Sequence, residues 1–442
     1  MPDIRFRRLD RRDSRSFAVV LLLVYVAVVA LPAVIVFFTW GTRDAPLLIT
    51  LGRLSALVGF VMLALQVALT SRVHLIERAV GLDRLTRFHR KAAVPATALV
   101  LVHPVLLAAG QGETWRFDRF PDWQVELGGF ALGVLVLGVL LALSFGALGL
   151  AYQLWRRLHK GMIVIVVLGF IHALVIGHHL QGIPMRVAFW VLFVTTLGIF
   201  AWRNVFVPLW GRRRFRVASV TQETHDTFNV ALEATDDEAM AHTPGQFMFL
   251  TLRRPGMKSE EHPFTISSSP TTAPSLTVTI KQSGDFTNTI GRTKPDDVAL
   301  IEAPFGRFSY VHAEATALLF IAAGVGITPI MSMLRALRDT GDTRPAVLIF
   351  GNKTERDVLF REELSALPAN VKVVHVLSKA EALWTGPTGY VTAEVITEHA
   401  SAMLKSADVY LCGPPPMMDS VTASLRSLGV PKRRIHTERF AL

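Results

Sequence analysis

Hydrophobic positions fall into two regimes along the chain. Up to about residue 210 they form long runs: 17–39, 51–70, 92–110, 127–151, 161–180 and 187–210. At about 1.5 Å rise per residue, a helix of about 19 to 25 residues crosses a hydrocarbon core of roughly 30 Å. Six transmembrane helices are therefore predicted. The first run is too long for a signal-peptide core and lacks a small-residue cleavage site, so it reads as a retained helix.

Beyond residue 216 the rhythm shortens. FRVASV, NVALEA, QFMFLTL, SLTVTIKQ and VALIEA are short alternating runs separated by Gly, Pro, Asp and Thr. That pattern predicts an antiparallel barrel. From 316 onward strand-like and helix-like segments alternate: ALLFIAAG, ITPIMSMLRALRD, AVLIFG, DVLFREELSAL, VKVVHVLS, VTAEVITEHA, DVYLCGPP, MMDSVTASLRSLG and RRIHTERF. Such alternation predicts a parallel sheet with crossover helices, a nucleotide-type domain. The expected organisation is a basic segment 1–16, an all-α six-helix membrane bundle 17–210, an antiparallel β-barrel 211–312 and an α/β domain 313–442.

Composition changes this picture in two ways. The net charge of +11 could indicate nucleic acid, but the cations cluster in alternate loops. With the N-terminus inside, the cytoplasmic segments hold 19 Lys and Arg and the outer loops hold four, Arg43, Arg116, Arg119 and Arg186. This asymmetry predicts a multi-pass protein of the cell membrane with both termini cytoplasmic, and no nucleic-acid partner. Trp40, Trp190, Trp202 and Trp210 fall near expected membrane interfaces. Cys412 is the single cysteine, which excludes an intrachain disulfide and a Cys-based metal cluster.

Histidines carry the candidate chemistry of the membrane half. His89 and His103 bracket the third run, 14 residues apart; His159 and His172 bracket the fifth, 13 apart. Both runs point outward, so His89 and His159 lie at the cytoplasmic end. Fourteen helical residues span about 21 Å, which suits two haems stacked across the membrane, each between two imidazoles. The alternative is ordinary hydrogen-bonded core histidines, but matched pairs of polar groups in hydrocarbon are costly. A spacing of 14 returns within about 40° of the same helix face, whereas 13 misses by about 140°. The fifth helix therefore needs tilt, an irregularity near Gly161, or differently approached haems. Arg53 lies inside the second run, with an anionic haem propionate or acceptor, or the outer headgroups, as its partner. His178 and His179 occupy the last outer loop, solvated or touching an external metal. His74 sits in a basic loop with no specific role.

Three motifs carry chemistry in the second half. HPFTISSSP (262–270) lies on a barrel strand, where Thr265 and Ser267 hydroxyls would line a flavin. AAGVGITPIMSML (322–334) places Gly324 and Gly326 between strand and helix, where a dinucleotide can approach the backbone. YLCGPPPMM (410–418) follows the fourth strand of the sheet at its carboxyl end, where ligands bind in such folds, so Cys412 and Gly413 would face a nicotinamide; the alternative for Cys412 is a small buried thiol beside a proline turn.

Taken in order, these residues resemble the ferric reductase and NADPH oxidase superfamily across nearly the whole chain. HPFTISS, GDFTN (284–288) and APFG (303–306) resemble its flavin segments. GVGITP and CGPPP resemble its pyridine-nucleotide motifs, and HTERF (436–440) its terminal aromatic. The resemblance implies a ferric reductase-like bundle followed by a ferredoxin–NADP reductase-like module. It implies FAD held by His262, Pro263, Phe264, Thr265, Ile266, Ser267, Gly284 and Thr287 and shielded by Phe440. NADPH or NADH would meet Gly324, Gly326, Thr328, Pro329, Cys412, Gly413 and Pro414. Two b-type haems would be ligated by His89 and His159 (inner) and by His103 and His172 (outer). No acid–base catalyst is implied, since the cofactors transfer the electrons.

The implied activity moves electrons from cytosolic NAD(P)H to an outer acceptor, oxygen first and a ferric chelate second. A non-catalytic haem-binding protein or transporter is the reading from another class. Departures from the family pattern are Leu107, where animal oxidases place a further histidine, and Ala441 and Leu442 after Phe440. No regulatory extension is visible, which implies activity without a protein activator. Lys353 and Arg356 would favour a 2′-phosphate, and Glu355 would favour NADH.

Overall fold

The computed structural model describes residues 11–39, 46–111, 123–149, 152–236 and 240–440. The basic residues before Arg11, the side chains of Arg11, Arg12 and Arg15, and Trp40, Arg43, Arg116, Arg119, Ala441 and Leu442 lie outside the described residues. The chain divides into two compact units, one formed by Arg15–Pro208 and the other dominated by Leu209–Leu442.

The first unit holds six helical spans long and apolar enough to cross a membrane. They comprise α1 (Arg11–Thr39), α2 (Leu47–Thr70), α4 (Leu82–Gln111), α5 (Trp123–Ser144), α6 with α7 (Tyr152–Lys160, Ile163–Ile176), and α8 (Ile183–Ala201), which continues through a π turn into α9 (Val207–Trp210). A short α3 (His74–Val80) fills the expected loop around His74. Small residues set the helix contacts. A Cβ at Gly59 would stand 2.8 Å from Val100, and one at Gly110 2.7 Å from Ile49, so α2 and α4 approach closely along a glycine seam. Phe60, Phe170 and Phe189 pack beside it, with Phe170 stacked on Phe193 at 3.8 Å.

Several boundaries differ from the hydropathy reading. The fourth span ends at Ser144 rather than 151. The fifth begins at Tyr152 rather than 161, and is broken at Gly161–Met162. Hydropathy registers only the apolar part of a helix; Arg156, Arg157, His159 and Lys160 continue it through polar residues. At the break, Met162, Val164 and Ile165 donate three residues back, to His159, Gly161 and Met162, at 3.1, 3.1 and 2.9 Å.

The second unit begins with a barrel of β1 (Arg213–Thr224), β2 (Thr227–Ala234), β3 (Phe247–Arg253), β4 (Glu261–Thr265), β5 (Leu276–Lys281) and β6 (Val298–Phe305). Their order is β4-β3-β6-β1-β2-β5, with antiparallel pairing throughout. A bridge from Ile266 to Val278 joins the two edges. Alternation sends Phe215, Val217, Val230, Leu232, Met248 and Leu250 into one core.

A parallel sheet follows, built from β7 (Ala317–Ala323), β8 (Ala346–Asn352), β9 (Val371–Leu377), β10 (Ala407–Cys412) and β11 (Ile435–Glu438) in the order β11-β10-β7-β8-β9. Its main crossover helices are α10 (Ile327–Thr340), α12 (Ala393–Ala400) and α13 (Pro415–Ser427). β7 and β10 are apolar almost throughout because both faces are covered. DVLFREELSAL forms less helix than its pattern suggests. Thr354 and Asp357 close a capping box around a short turn, Phe360 takes a left-handed φ of 56°, and only α11 (Arg361–Ser365) remains.

Candidate cofactor-binding sites

The barrel seam is where the flavin motif lies. β4 carries Glu261–Thr265 along the edge, and Ile266 makes the closing bridge. Pro263 is exposed, His262 and Phe264 are half-buried, and Thr265 is buried. The His262 ring stacks on Phe286 at 4.3 Å, which brings HPFT and GDFTN together. Arg254 covers Phe286 at 5.0 Å. Thr287 accepts from the backbone N–H groups of Ser283 and Gly284, shaping a tight loop in which Gly284 faces open space.

Ser267 corrects one expectation. Its side chain is fully buried and bonds to the Thr277 carbonyl and the Thr279 hydroxyl at 3.0 Å each, so it closes the barrel instead of lining a ligand surface. Alternation puts Ser267 on the face opposite the core-facing Ile266, beside Thr277 and Thr279.

At the carboxyl end of the parallel sheet the two glycine motifs meet. A Cβ on Gly326 would stand 2.4 Å from the Cys412 carbonyl, and one on Gly413 3.3 Å from the Ala323 nitrogen. Gly324, at φ 52°, faces open space. β7 and β10 are neighbours whose connections leave in opposite directions, the switch point where ligands settle in such sheets. α10 starts directly after this loop, with the Thr328 hydroxyl bonded to Val325 and with Thr328 and Pro329 buried; Pro414 is exposed at the start of α13. Both polar atoms of the Asn352 side chain are buried without a partner at the end of β8, an opening for a polar ligand group. The Cys412 thiol is fully buried; burial, then the nearby Glu438 carboxylate, pushes it well above the ordinary thiol range. The residue offers backbone to this loop, and its sulfur lies inside the core. Phe440 follows β11 and is half exposed.

In the membrane unit the histidines pair across helices. The rings of His89 on α4 and His159 on α6 stand 6.0 Å apart, nearly perpendicular. Two imidazoles sharing one iron at about 2 Å each have centroids about 6 Å apart. His89 lies against the Gln66 backbone, while Nδ1 of His159 is buried without a hydrogen-bond partner, as is the indole nitrogen of Trp155, which stacks on His159 at 5.2 Å. His103 and His172 lie within reach of each other's charge. Each donates from Nδ1 to a backbone carbonyl at 2.9 Å, His103 to Gly52 and His172 to Gln124. A donating Nδ1 leaves Nε2 with its lone pair free to ligate a metal, and the carbonyl bond fixes the ring's orientation. These residues fit iron–porphyrin groups.

The break at Gly161 supplies the irregularity that the 13-residue spacing requires, because His159 and His172 stand on separate helices. Arg53 lies within electrostatic reach of His179. Sequence reading missed Gly128, Gln124 and Trp155. Trp155 stands one turn before His159 and was detectable; the carbonyl of Gln124 carries no side-chain signal.

Known proteins match in the same order. Residues 55–170 match the family described as ferric reductase like transmembrane component, 212–299 an FAD-binding domain, and 320–423 an oxidoreductase NAD-binding domain. Together the three matches make up the architecture of ferric reductase/NADPH oxidase-like proteins. The chain is a multi-pass membrane protein with FAD- and NAD(P)H-binding domains. Ferredoxin–NADP reductase B of Sorangium cellulosum is 31% identical over 221 residues, 48% of this chain and 90% of that protein. The ferredoxin reductase component of a 3-ketosteroid-9-alpha-monooxygenase from Rhodococcus rhodochrous is 32% identical over 235 residues, 51% of this chain. The chain spans 64% of the length of that relative and of a glycine betaine monooxygenase reductase subunit from Pseudomonas aeruginosa. Among solved structures, a flavohemoglobin from Malassezia yamatoensis with bound FAD and heme has a TM-score of 0.51 at 18% identity, covering 89% of this chain and 99% of its own; the likeness is one of fold.

Proposed function

We propose that this protein moves electrons from cytosolic NAD(P)H through FAD and two b-type haems to an acceptor outside the cell membrane, oxygen first. The observation that carries the reading is the paired histidines. Two rings stand 6.0 Å apart, about the spacing of two imidazoles on one iron, and two more have Nδ1 bound to carbonyls. Bound flavin would supply conversion of a two-electron hydride into single electrons, and bound haem their one-at-a-time transfer. His89 and His159 hold the inner iron; His103 and His172 hold the outer. Two imidazoles per iron would leave no open position, so an acceptor would have to react without binding the iron.

The skew of Lys and Arg toward alternate loops supports cytoplasmic termini. The remaining motif residues bind by backbone and shape. Gly324, Gly326, Gly413 and Pro414 leave room for the dinucleotide, and α10 directs its N-terminus at phosphate. His262, Phe264, Thr265, Gly284 and Thr287 hold the flavin, with Phe440 as its cover. Glu355 is engaged by Arg361 at 3.0 Å, whereas Lys353 and Arg356 are exposed, which favours NADPH. A ferric chelate is the second acceptor, favoured by Leu107 and by the Arg53–His179 pair at the outer end.

Anaerobic addition of NADPH to purified protein tests the path. The flavin should bleach and b-type absorption bands should appear; oxygen, then ferric citrate in a separate run, should reoxidise them at different rates. Protein without Soret absorbance after haem-supplemented expression would overturn the reading.

A further inference from the structure

The flavin-bearing seam and the nucleotide loop are physically joined by one helix. α10 starts at Ile327, directly after Gly326, and runs past the end of the barrel seam. Three of its residues, spaced 3 and 4 apart and hence on one face, grip that seam. The Ser332 hydroxyl donates to the Ser268 carbonyl at 2.7 Å, and Nη1 of Arg335 to the Ser267 carbonyl at 2.7 Å. Asp339 accepts from the Thr271 hydroxyl at 2.7 Å. The seam is itself rigid, since the Ser267 amide donates to the Thr277 carbonyl and the Ser268 hydroxyl accepts from the Thr277 amide.

Arg335 makes the most connections. Its Nε and Nη2 form a two-point pair with Glu363 at 2.9 and 2.5 Å, and its plane lies 4.9 Å from the Phe360 ring. The Phe360 amide donates in turn to Glu223 on β1 at 2.8 Å. One guanidinium thus ties the flavin strand, α10 and α11 together, in three directions a lysine cannot serve at once. An apolar seam would hold the lobes together but would let them slide; directional bonds fix their register.

We propose that Arg335 is a positioning residue for hydride transfer, holding the Gly324–Gly326 loop in register with the Thr265–Ser267 segment. The proposal rests on the electron path above. In the step concerned, the C4–H bond of the dihydronicotinamide breaks and an N5–H bond forms on the flavin. The hydride carries both electrons, so the nucleotide is oxidised and the flavin reduced. Arg335 touches neither ring and acts through the backbone. A misplacement of about 1 Å can cost such a step about a hundredfold.

The test uses the full-chain holoprotein and anaerobic stopped-flow bleaching of the flavin at saturating NADPH. Arg335→Ala should slow the limiting rate at least about tenfold, with FAD content and the NADPH concentration for half-maximal rate unchanged. The isotope effect with C4-deuterated NADPH should rise as hydride transfer becomes limiting. Arg335→Lys should fall between, Ser332→Ala should slow the same step, and Arg216→Ala, at an exposed ion pair, should match the parent. Haem reduction by dithionite should be equal in all. An unchanged limiting rate in Arg335→Ala overturns the proposal. So does an effect confined to the half-saturating concentration. If Arg335→Ala loses FAD, Ser332→Ala and Arg335→Lys decide: parental rates in both overturn it. A parent protein whose flavin NADPH cannot reduce would instead sink the electron-path reading.

Discussion

A Cβ on Gly128 would stand 2.5 Å from Cε1 and 2.6 Å from Nδ1 of His172. No side chain fits there without moving the ring and breaking its bond to Gln124. Gly128→Ala should therefore lower haem content by about half, since one of two pairs is displaced, while FAD content stays at the parental level. A haem-to-flavin ratio measured by haemochromogen and flavin absorbance checks it. His242 makes a different residue-scale case. It is buried beside the Met240 and Ser268 backbone, and burial pushes its imidazole below the ordinary 6.5. The folded chain keeps this ring neutral, whereas the unfolded chain takes a proton below about pH 6.5. Its contribution is present above that pH and is lost as pH falls toward the lower folded value. The unfolding temperature of the FAD-bearing unit should drop between pH 7.5 and 5.5, and His242→Gln should drop less. Both residues were silent in the sequence. Gly128 is one glycine among many in apolar runs, and His242 has no motif around it.

At the scale of elements, periodicity read well wherever one environment spanned a whole element. Apolar runs gave the six spans, alternation gave the barrel strands, and continuous apolar segments gave β7 and β10. It failed where environments change along one element. The polar turn of α6 continues the fifth span below its apolar part, and the left-handed Phe360 interrupts a helical pattern without a glycine or proline to announce it. Ser267 was read as ligand-lining because a motif gives residue types but not the closing bridge beside which its hydroxyl is buried against Thr277 and Thr279. The break at Gly161–Met162 sets the phase between His159 and His172. Inserting one alanine after Gly161 would turn α6 by about 100° against α7. His159 should then leave His89 while His172 keeps its Gln124 bond. A redox titration should show loss of one haem transition and retention of the other.

At the scale of the whole molecule, the two compact units divide the chemistry, and that division makes the path testable by direction. The FAD- and NAD(P)H-binding domains contain none of the four paired histidines. On the proposed path, His103→Ala removes one outer ligand and leaves the His89–His159 pair and the second unit untouched. Flavin bleaching by NADPH should proceed at the parental rate, and the inner haem should still become reduced. Reduction of an acceptor confined outside, in vesicles with the nucleotide domain facing the NADPH, should fall by about 10- to 100-fold or more, since loss of a ligand costs at least as much as loss of its support. His89→Ala should stop the path one step earlier, leaving both haems oxidised under anaerobic NADPH while dithionite still reduces the outer one. Flavin bleaching that survives both changes, together with haem reduction that fails in this order, requires electrons to travel inward to outward through the two pairs in series. Full acceptor reduction by His103→Ala would place the exit somewhere other than the outer pair.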